Sequence, residues 1–229
     1  MSKRNKLQKF AELLTFSNVY ENFDPKHPEL AGRNGQPADR KGQWAPVHFE
    51  NTNPITLELA CGRGEYSLEL ARRYPDRNFI GVDVKGARIW KGAKIALSED
   101  LNNVAFLRTR IEQIALFFAP GEVDEIWITF PDPFLENSKA GRRLTAANFL
   151  AEYRKILKPG GLIHLKTDSP ELYAFTLETL AAESHVKLLY HNDDIYASPL
   201  VLPELETKTF YERIHLSEQK TIKYVQFEL

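Results

Sequence analysis

Two acidic residues and two glycines stand where they could hold an adenosine-type ligand. Gly62 and Gly64 directly follow an apolar run at 55–60 that carries a single acid, Glu58. Glycines at such a point let the backbone turn sharply and approach a ligand, because neither has a Cβ. Asp83 closes a second apolar run, 25 residues beyond Glu58, where a carboxylate can accept two hydrogen bonds from ribose hydroxyls. Asp132 lies between Pro131 and Pro133, Asp168 closes Lys166-Thr167-Asp168, and Thr209 stands three residues before Glu212. The glycine turn alone does not separate a dinucleotide from another adenosine-type ligand. The dinucleotide fingerprint G-x-G-x-x-G needs a third glycine for close helix–strand packing, and Ser67 occupies that place.

The elements that must position these residues can be read from periodicity. Residues 1–16 carry Leu7, Phe10, Leu13 and Leu14 at helical spacing beside the basic residues Lys3, Arg4, Lys6 and Lys9. Residues 17–54 hold Pro25, Pro28, Pro37, Pro46 and Pro54 and read as an irregular arm. From residue 55 the texture alternates. Strands are predicted at 55–60, 78–83, 104–109, 123–130 and 162–167, with further strands at 186–190 and 222–227. Helices are predicted at 65–74, from the second strand to about Ser98, and at 146–157. Another starts at Ser169 as N-cap, with Pro170 at its first position. Strands separated by helix-length crossovers imply an α/β fold, doubly wound around a mostly parallel sheet. The expected organisation is one globular unit, with the helix and arm at 1–54 and the ligand-binding domain at 55–229.

Composition narrows the class. With 43% hydrophobic and 27% charged residues in 229, the chain suits a soluble protein with a substantial core. A net charge of −1 does not announce nucleic-acid binding, although a local basic surface remains open to Lys85, Arg88, Lys91 and Lys94. No apolar run has membrane-spanning length, and no signal-peptide pattern follows the basic start, so no membrane association is expected. The lone Cys61 excludes an internal disulfide and fits a reducing, cytoplasmic setting. With no paired histidine identifiable, it reads as a small buried residue rather than a nucleophile. The six histidines have no metal-ligand spacing, and no metal is expected.

The pattern Glu58-x-x-x-Gly62-x-Gly64 resembles the first motif of class I methyltransferases that use S-adenosylmethionine. Phe130-Pro131-Asp132-Pro133 after the fourth strand and Leu157-Lys158-Pro159-Gly160-Gly161 before the fifth resemble the same class. Pro131-Asp132-Pro133, Arg142-Arg143-Leu144-Thr145, Lys166-Thr167-Asp168 and Thr209-Phe210-Tyr211-Glu212, in that order, resemble the tRNA (guanine-N7-)-methyltransferase family across about residues 55–229. The resemblance implies a Rossmann-like class I fold, S-adenosylmethionine as methyl donor, and N7 of a guanine in the tRNA variable loop as acceptor. It implies that Glu58, Gly62, Gly64, Asp83 and Asp132 serve the cofactor and that Asp132 lies at the reacting centre. Asp168, Thr209 and Glu212 would hold the guanine.

The chemistry agrees with that implication. Guanine N7 is an exposed lone pair with no proton to remove, so transfer needs positioning and electrostatics more than a general base. Three positions depart from the family pattern. Glu136 stands where relatives carry a lysine, Arg110 where an acid or amide meets the adenine, and Ala60 where many class I enzymes have glycine. Glu136 and Arg110 keep open a catalytically impaired RNA-binding protein on the same fold. A methyltransferase with a small-molecule acceptor is the other alternative.

Overall fold

The near-continuous apolar runs of this chain become parallel strands covered on both faces, which is why they show no strict alternation. The computed structural model describes residues 5–229. Lys3 and Arg4 lie outside them, as does the side chain of Lys6.

In chain order the elements are α1 (Lys6–Leu13), β1 (Val19–Asn22), β2 (Leu30–Ala31), β3 (Ile55–Leu59), α2 (Glu65–Arg73), β4 (Asn78–Asp83) and α3 (Gly86–Ser98). After these come β5 (Val104–Arg108), β6 (Val123–Thr129), α4 (Ala147–Arg154), β7 (Leu157–Thr167), α5 (Pro170–Ala182), β8 (Lys187–Asn192), α6 (Phe210–Ser217) and β9 (Lys223–Glu228). Every residue of β3 and β4 is buried. One sheet runs in the order β2-β1-β5-β4-β3-β6-β7-β9-β8. From β1 to β7 the neighbours are parallel, while β2, β9 and β8 pair antiparallel. The chain steps outward from β3 through β4 to β5, then returns to build β6 and β7 on the other side. The carboxyl ends of β3 and β6 therefore flank the switch point, where open α/β sheets bind ligands.

The arm is more ordered than its prolines suggest. β1 adds to the sheet beside β5, with Val19 opposite Phe106, and Glu21 pairs with Arg108 at 2.8 Å. Trp44 is fully buried, donates its indole N–H to the carbonyl of Phe117 at 2.8 Å and stacks on Phe118. A four-residue strand cannot show a period, so these contacts had no local signature. The first helix docks on α3: Trp90 donates to Glu12 at 2.9 Å, and Lys94 pairs with the same carboxylate at 3.1 Å. Lys9 lies over the Trp90 ring, so Lys9 and Lys94 join two helices.

Ser169 caps α5 as expected, accepting from the backbone N–H of Leu172 at 3.1 Å, with Pro170 at the start. The predicted helix at 146–157 is shorter, because Leu157 already pairs with Val123 at the start of β7. Among the described residues, no helix is long and apolar enough to cross a membrane.

Candidate active site

The glycine turn leaves β3 in a left-handed conformation. Ala60, Gly62 and Gly64 have φ of 56°, 57° and 64°. A Cβ on Gly64 would sit 2.4 Å from the Phe106 ring, so the turn is pressed against β5. A Cβ on Gly62 would meet nothing, which leaves that position open toward a ligand. Asp83, at the end of β4, ties the turn down: one carboxylate oxygen accepts from the N–H of Gly62 at 2.9 Å, the other from that of Lys85 at 2.8 Å.

Glu58 is buried just before the turn. One of its oxygens accepts from the N–H and the hydroxyl of Ser67 in α2, and the other from the hydroxyl of Thr129 at the end of β6. Burial dominates these three bonds and pushes its carboxyl up to about 7. Cys61 beside it is buried, and burial together with Glu58 and Asp83 holds its thiol well above the usual range, which leaves it protonated and unreactive.

Two cavities meet at Ala60. The first, about 60 Å³, is lined by Glu58, Gly62, Thr129, Phe130 and Thr209, among others. The second, about 410 Å³, is lined by Asp83, Val84, Arg110, Glu112 and Phe134, among others. The smaller is a narrow slot beside the glycines, and the larger is an open groove with Asp83 on its wall. The donor set fits S-adenosylmethionine: an acid beside the slot for cationic groups, and an acid on the groove for a ribose.

Pro131-Asp132-Pro133 follows β6 directly. Phe130 and Phe134, on either side, have positive φ of 50° and 42°. Non-glycine residues held there cost of order 1 kcal/mol each and cluster at functional sites. Asp132 is exposed, and its carboxylate accepts from the N–H of Phe134 at 3.1 Å, closing its own turn. Arg143 braces the loop by donating to the carbonyls of Pro133 and Phe134, at 3.1 and 3.0 Å. The R-R-L-T segment thus spends one arginine on loop geometry. Glu136 pairs with Lys139 at 2.6 Å, so its charge is compensated one turn away.

Asp168 follows β7 and is half-buried; its carboxylate lies 3.3 Å from Lys220 and 3.4 Å from His215. His215 stacks on Phe130, joining α6 to the end of β6. Thr209 caps α6 by accepting from the N–H of Glu212 at 3.3 Å. Glu212 itself is fully buried. One oxygen accepts from Lys166 at 2.8 Å and from the Tyr196 hydroxyl at 2.6 Å, while the other has no partner. Lys166, also fully buried, donates further to the carbonyls of Leu205 and Thr207, both at 3.0 Å. Burial lowers its ammonium, and Glu212 pulls it partly back.

Glu58, Gly62 and Thr209 therefore share one slot, and Asp83 borders the adjoining groove. Asp132, Asp168 and Glu212 line neither cavity. Ser67, Thr129, His215 and Lys166 carry contacts that sequence reasoning did not assign. Ser67 had a signal as the residue replacing the third glycine, and Lys166 stood within the Lys166-Thr167-Asp168 motif. Among the described residues, no group of three or more histidine, cysteine or acidic side chains gathers to hold a metal ion.

Among solved structures, the 16S rRNA methyltransferase KamB superposes with a TM-score of 0.61 at 15% identity, covering 82% of this chain and 93% of that one. TrmN from Thermus thermophilus gives 0.55 at 20% identity, over 77% of this chain and 45% of its own. Strand order, glycine turn and switch-point cavity together define a class I methyltransferase fold. A family model described as "Putative methyltransferase" matches residues 52–225. A tRNA (guanine-N(7)-)-methyltransferase of Christiangramia forsetii is 46% identical over the full length of both chains. That of Porphyromonas gingivalis is 51% identical over 82% of this chain and 77% of the relative. The chain belongs to the tRNA (guanine-N7-)-methyltransferase family.

Proposed function

We propose that this protein transfers a methyl group from S-adenosylmethionine to N7 of a guanine in the variable loop of tRNA, in a cytoplasmic setting. The observation that carries the reading is the slot at the switch point, where Glu58 and Gly62 from the cofactor turn meet Thr209 of the T-x-x-E segment around Phe130. S-adenosylmethionine supplies an electrophilic methyl on its sulfonium. Asp83 accepts from the ribose hydroxyls, Gly62 and Gly64 let the backbone come close, and Glu58 offsets the ligand's positive charge. Asp132 stands beside the reacting atoms, where its charge follows the positive charge as it passes from sulfur to the purine. Asp168 accepts from the base's N1–H and N2–H edge, and Thr209 and Glu212 fix the wall opposite the cofactor. No side chain removes a proton, because N7 carries none.

Purified protein, labelled S-adenosylmethionine and an unmodified tRNA transcript test this directly. Label recovered as N7-methylguanine from the variable loop is the expected result. RNA binding without transfer would overturn the enzymatic reading.

Glu58 gives the reaction a pH signature. Its carboxyl titrates near 7 because burial disfavours the charged form. A cationic ligand beside it favours the charged form, so binding releases a proton. Affinity for S-adenosylmethionine should then rise as pH increases from about 6 to 8, approaching tenfold per unit on the acid side. Calorimetric titration at several pH values measures it, and Glu58→Gln should flatten the profile. The same burial makes the ionised carboxylate destabilising in the free protein. Its stabilising protonated form is fully present below the ordinary carboxylate pKa, and that contribution is lost as pH rises through about 7.

A further inference from the structure

Helix α6 starts at Thr209, whose side chain accepts from the N–H of Glu212 at 3.3 Å, while Glu212 is driven into the interior by Lys166. At about 100° per residue, that orientation turns the two residues between them outward. Phe210 and Tyr211 are 45% and 48% exposed, side by side at the mouth of the slot with ring centroids 5.7 Å apart. Together they form a small exposed aromatic patch beside the slot.

Their surroundings say which kind of occupant it suits. The guanidinium of Arg63, from the glycine turn, lies 5.2 Å from the centre of the Phe210 ring. Arg88, from the first turns of α3, lines the same mouth. Both arginines are exposed, and among the described residues neither forms an ion pair. The Phe210 backbone is held from below, its N–H donating to the carboxylate of Glu65 at 2.5 Å. A fixed aromatic ring, backed by one arginine outside any ion pair and flanked by another, presents a π-face and two guanidinium groups together, with Glu58 and Glu65 in the same lining. An apolar protein surface would leave the two arginines unpaired, whereas a nucleotide satisfies both with its base and its phosphate.

We propose that Phe210, Arg63 and Arg88 form a subsite for a single-stranded RNA nucleotide flanking the methylated guanine. Its base stacks on the exposed surface of Phe210, and its phosphate is taken by Arg88. Tyr211 closes the edge of the platform. The proposal rests on the reading of the chain as a tRNA methyltransferase and adds to it a second nucleotide contact, at the mouth of the slot. Arg63 and Arg88 are the cations among the residues that line the slot.

The test compares the wild-type chain with Phe210→Ala, Phe210→Tyr and Arg88→Gln. Each is measured for tRNA affinity at several salt concentrations, for KM and kcat on tRNA, and for S-adenosylhomocysteine affinity as a control on the cofactor side. Phe210→Ala should weaken tRNA binding roughly 5- to 150-fold, the range for loss of one stacked base, with the change in Kd and KM. Phe210→Tyr should restore it, since the ring is kept. Arg88→Gln should reduce the slope of log affinity against log salt by about 1, the signature of one lost phosphate contact. Unchanged tRNA affinity in Phe210→Ala, with an active wild type, overturns the subsite alone. A loss in kcat without a loss in affinity also overturns it, by placing the ring against the reacting base. A wild type that neither binds nor methylates tRNA overturns the function and the subsite together.

Discussion

Lys166→Met should destabilise the protein by about 3–5 kcal/mol, the cost of leaving a buried carboxylate without its cation. Lys166 and Glu212 are both fully inaccessible, and all three of the ammonium's donors are used, on Glu212 and on the carbonyls of Leu205 and Thr207. Glu212 already has one oxygen without a partner, so removing the lysine leaves only the Tyr196 hydroxyl to serve the group. Urea unfolding measures the loss as a lower midpoint at unchanged slope. Combining Lys166→Met with Glu212→Leu should recover much of it, because an apolar pair of similar volume avoids the desolvation of both charges. A single variant within about 1 kcal/mol of wild type would show that the pair does not hold α6 to the sheet. The consequence reaches the site. Thr209, Phe210 and Tyr211 ride on the helix that this pair anchors, so partial activity loss should follow the stability loss.

The second large effect concerns Asp132. Asp132→Asn keeps an oxygen that can accept from the Phe134 N–H, so the turn survives while the charge is removed. Turnover on tRNA should fall on the order of 100-fold or more, in kcat, the size of loss seen when one preorganised electrostatic group is removed from a reacting centre. Thermal melting should stay close to wild type, since the side chain is exposed and buries nothing. Wild-type turnover in this variant would move the reacting centre away from Asp132. Asp132 lines neither cavity, so reaching the reacting atoms depends on the loop that Arg143 braces. Arg143→Ala is therefore the companion change that separates the loop's position from the carboxylate's charge.

Much of this protein was legible along the chain. The runs at β3 to β6 carry their own signal, because a strand buried on both faces is apolar at most of its positions. Ser169 and Pro170 announce the start of α5, since a cap bonds within three residues of itself. Gly62 and Gly64 mark a left-handed turn that side chains avoid. The ordered motifs named the family, and the comparisons agree.

Other features depend on residues distant in sequence, and only the folded chain decides them. Glu58 is read from sequence as an acid facing the cofactor. In the fold it is also a buried clasp, held by Ser67 9 residues away and by Thr129 71 residues away, and that burial moves its titration. Glu212 reads as a base-binding acid of T-x-x-E, yet its direction is set by Lys166 on a strand from another part of the chain. β1 joins the sheet by pairing with β5 across the whole first half of the domain, which no local pattern could announce. Periodicity and caps are local, so they reveal the segments that carry an apolar run or a cap of their own, and not β1 or the early start of β7. Desolvation and charge pairing act across space, so the tertiary structure alone decided which acids face the slot and which are locked beneath it.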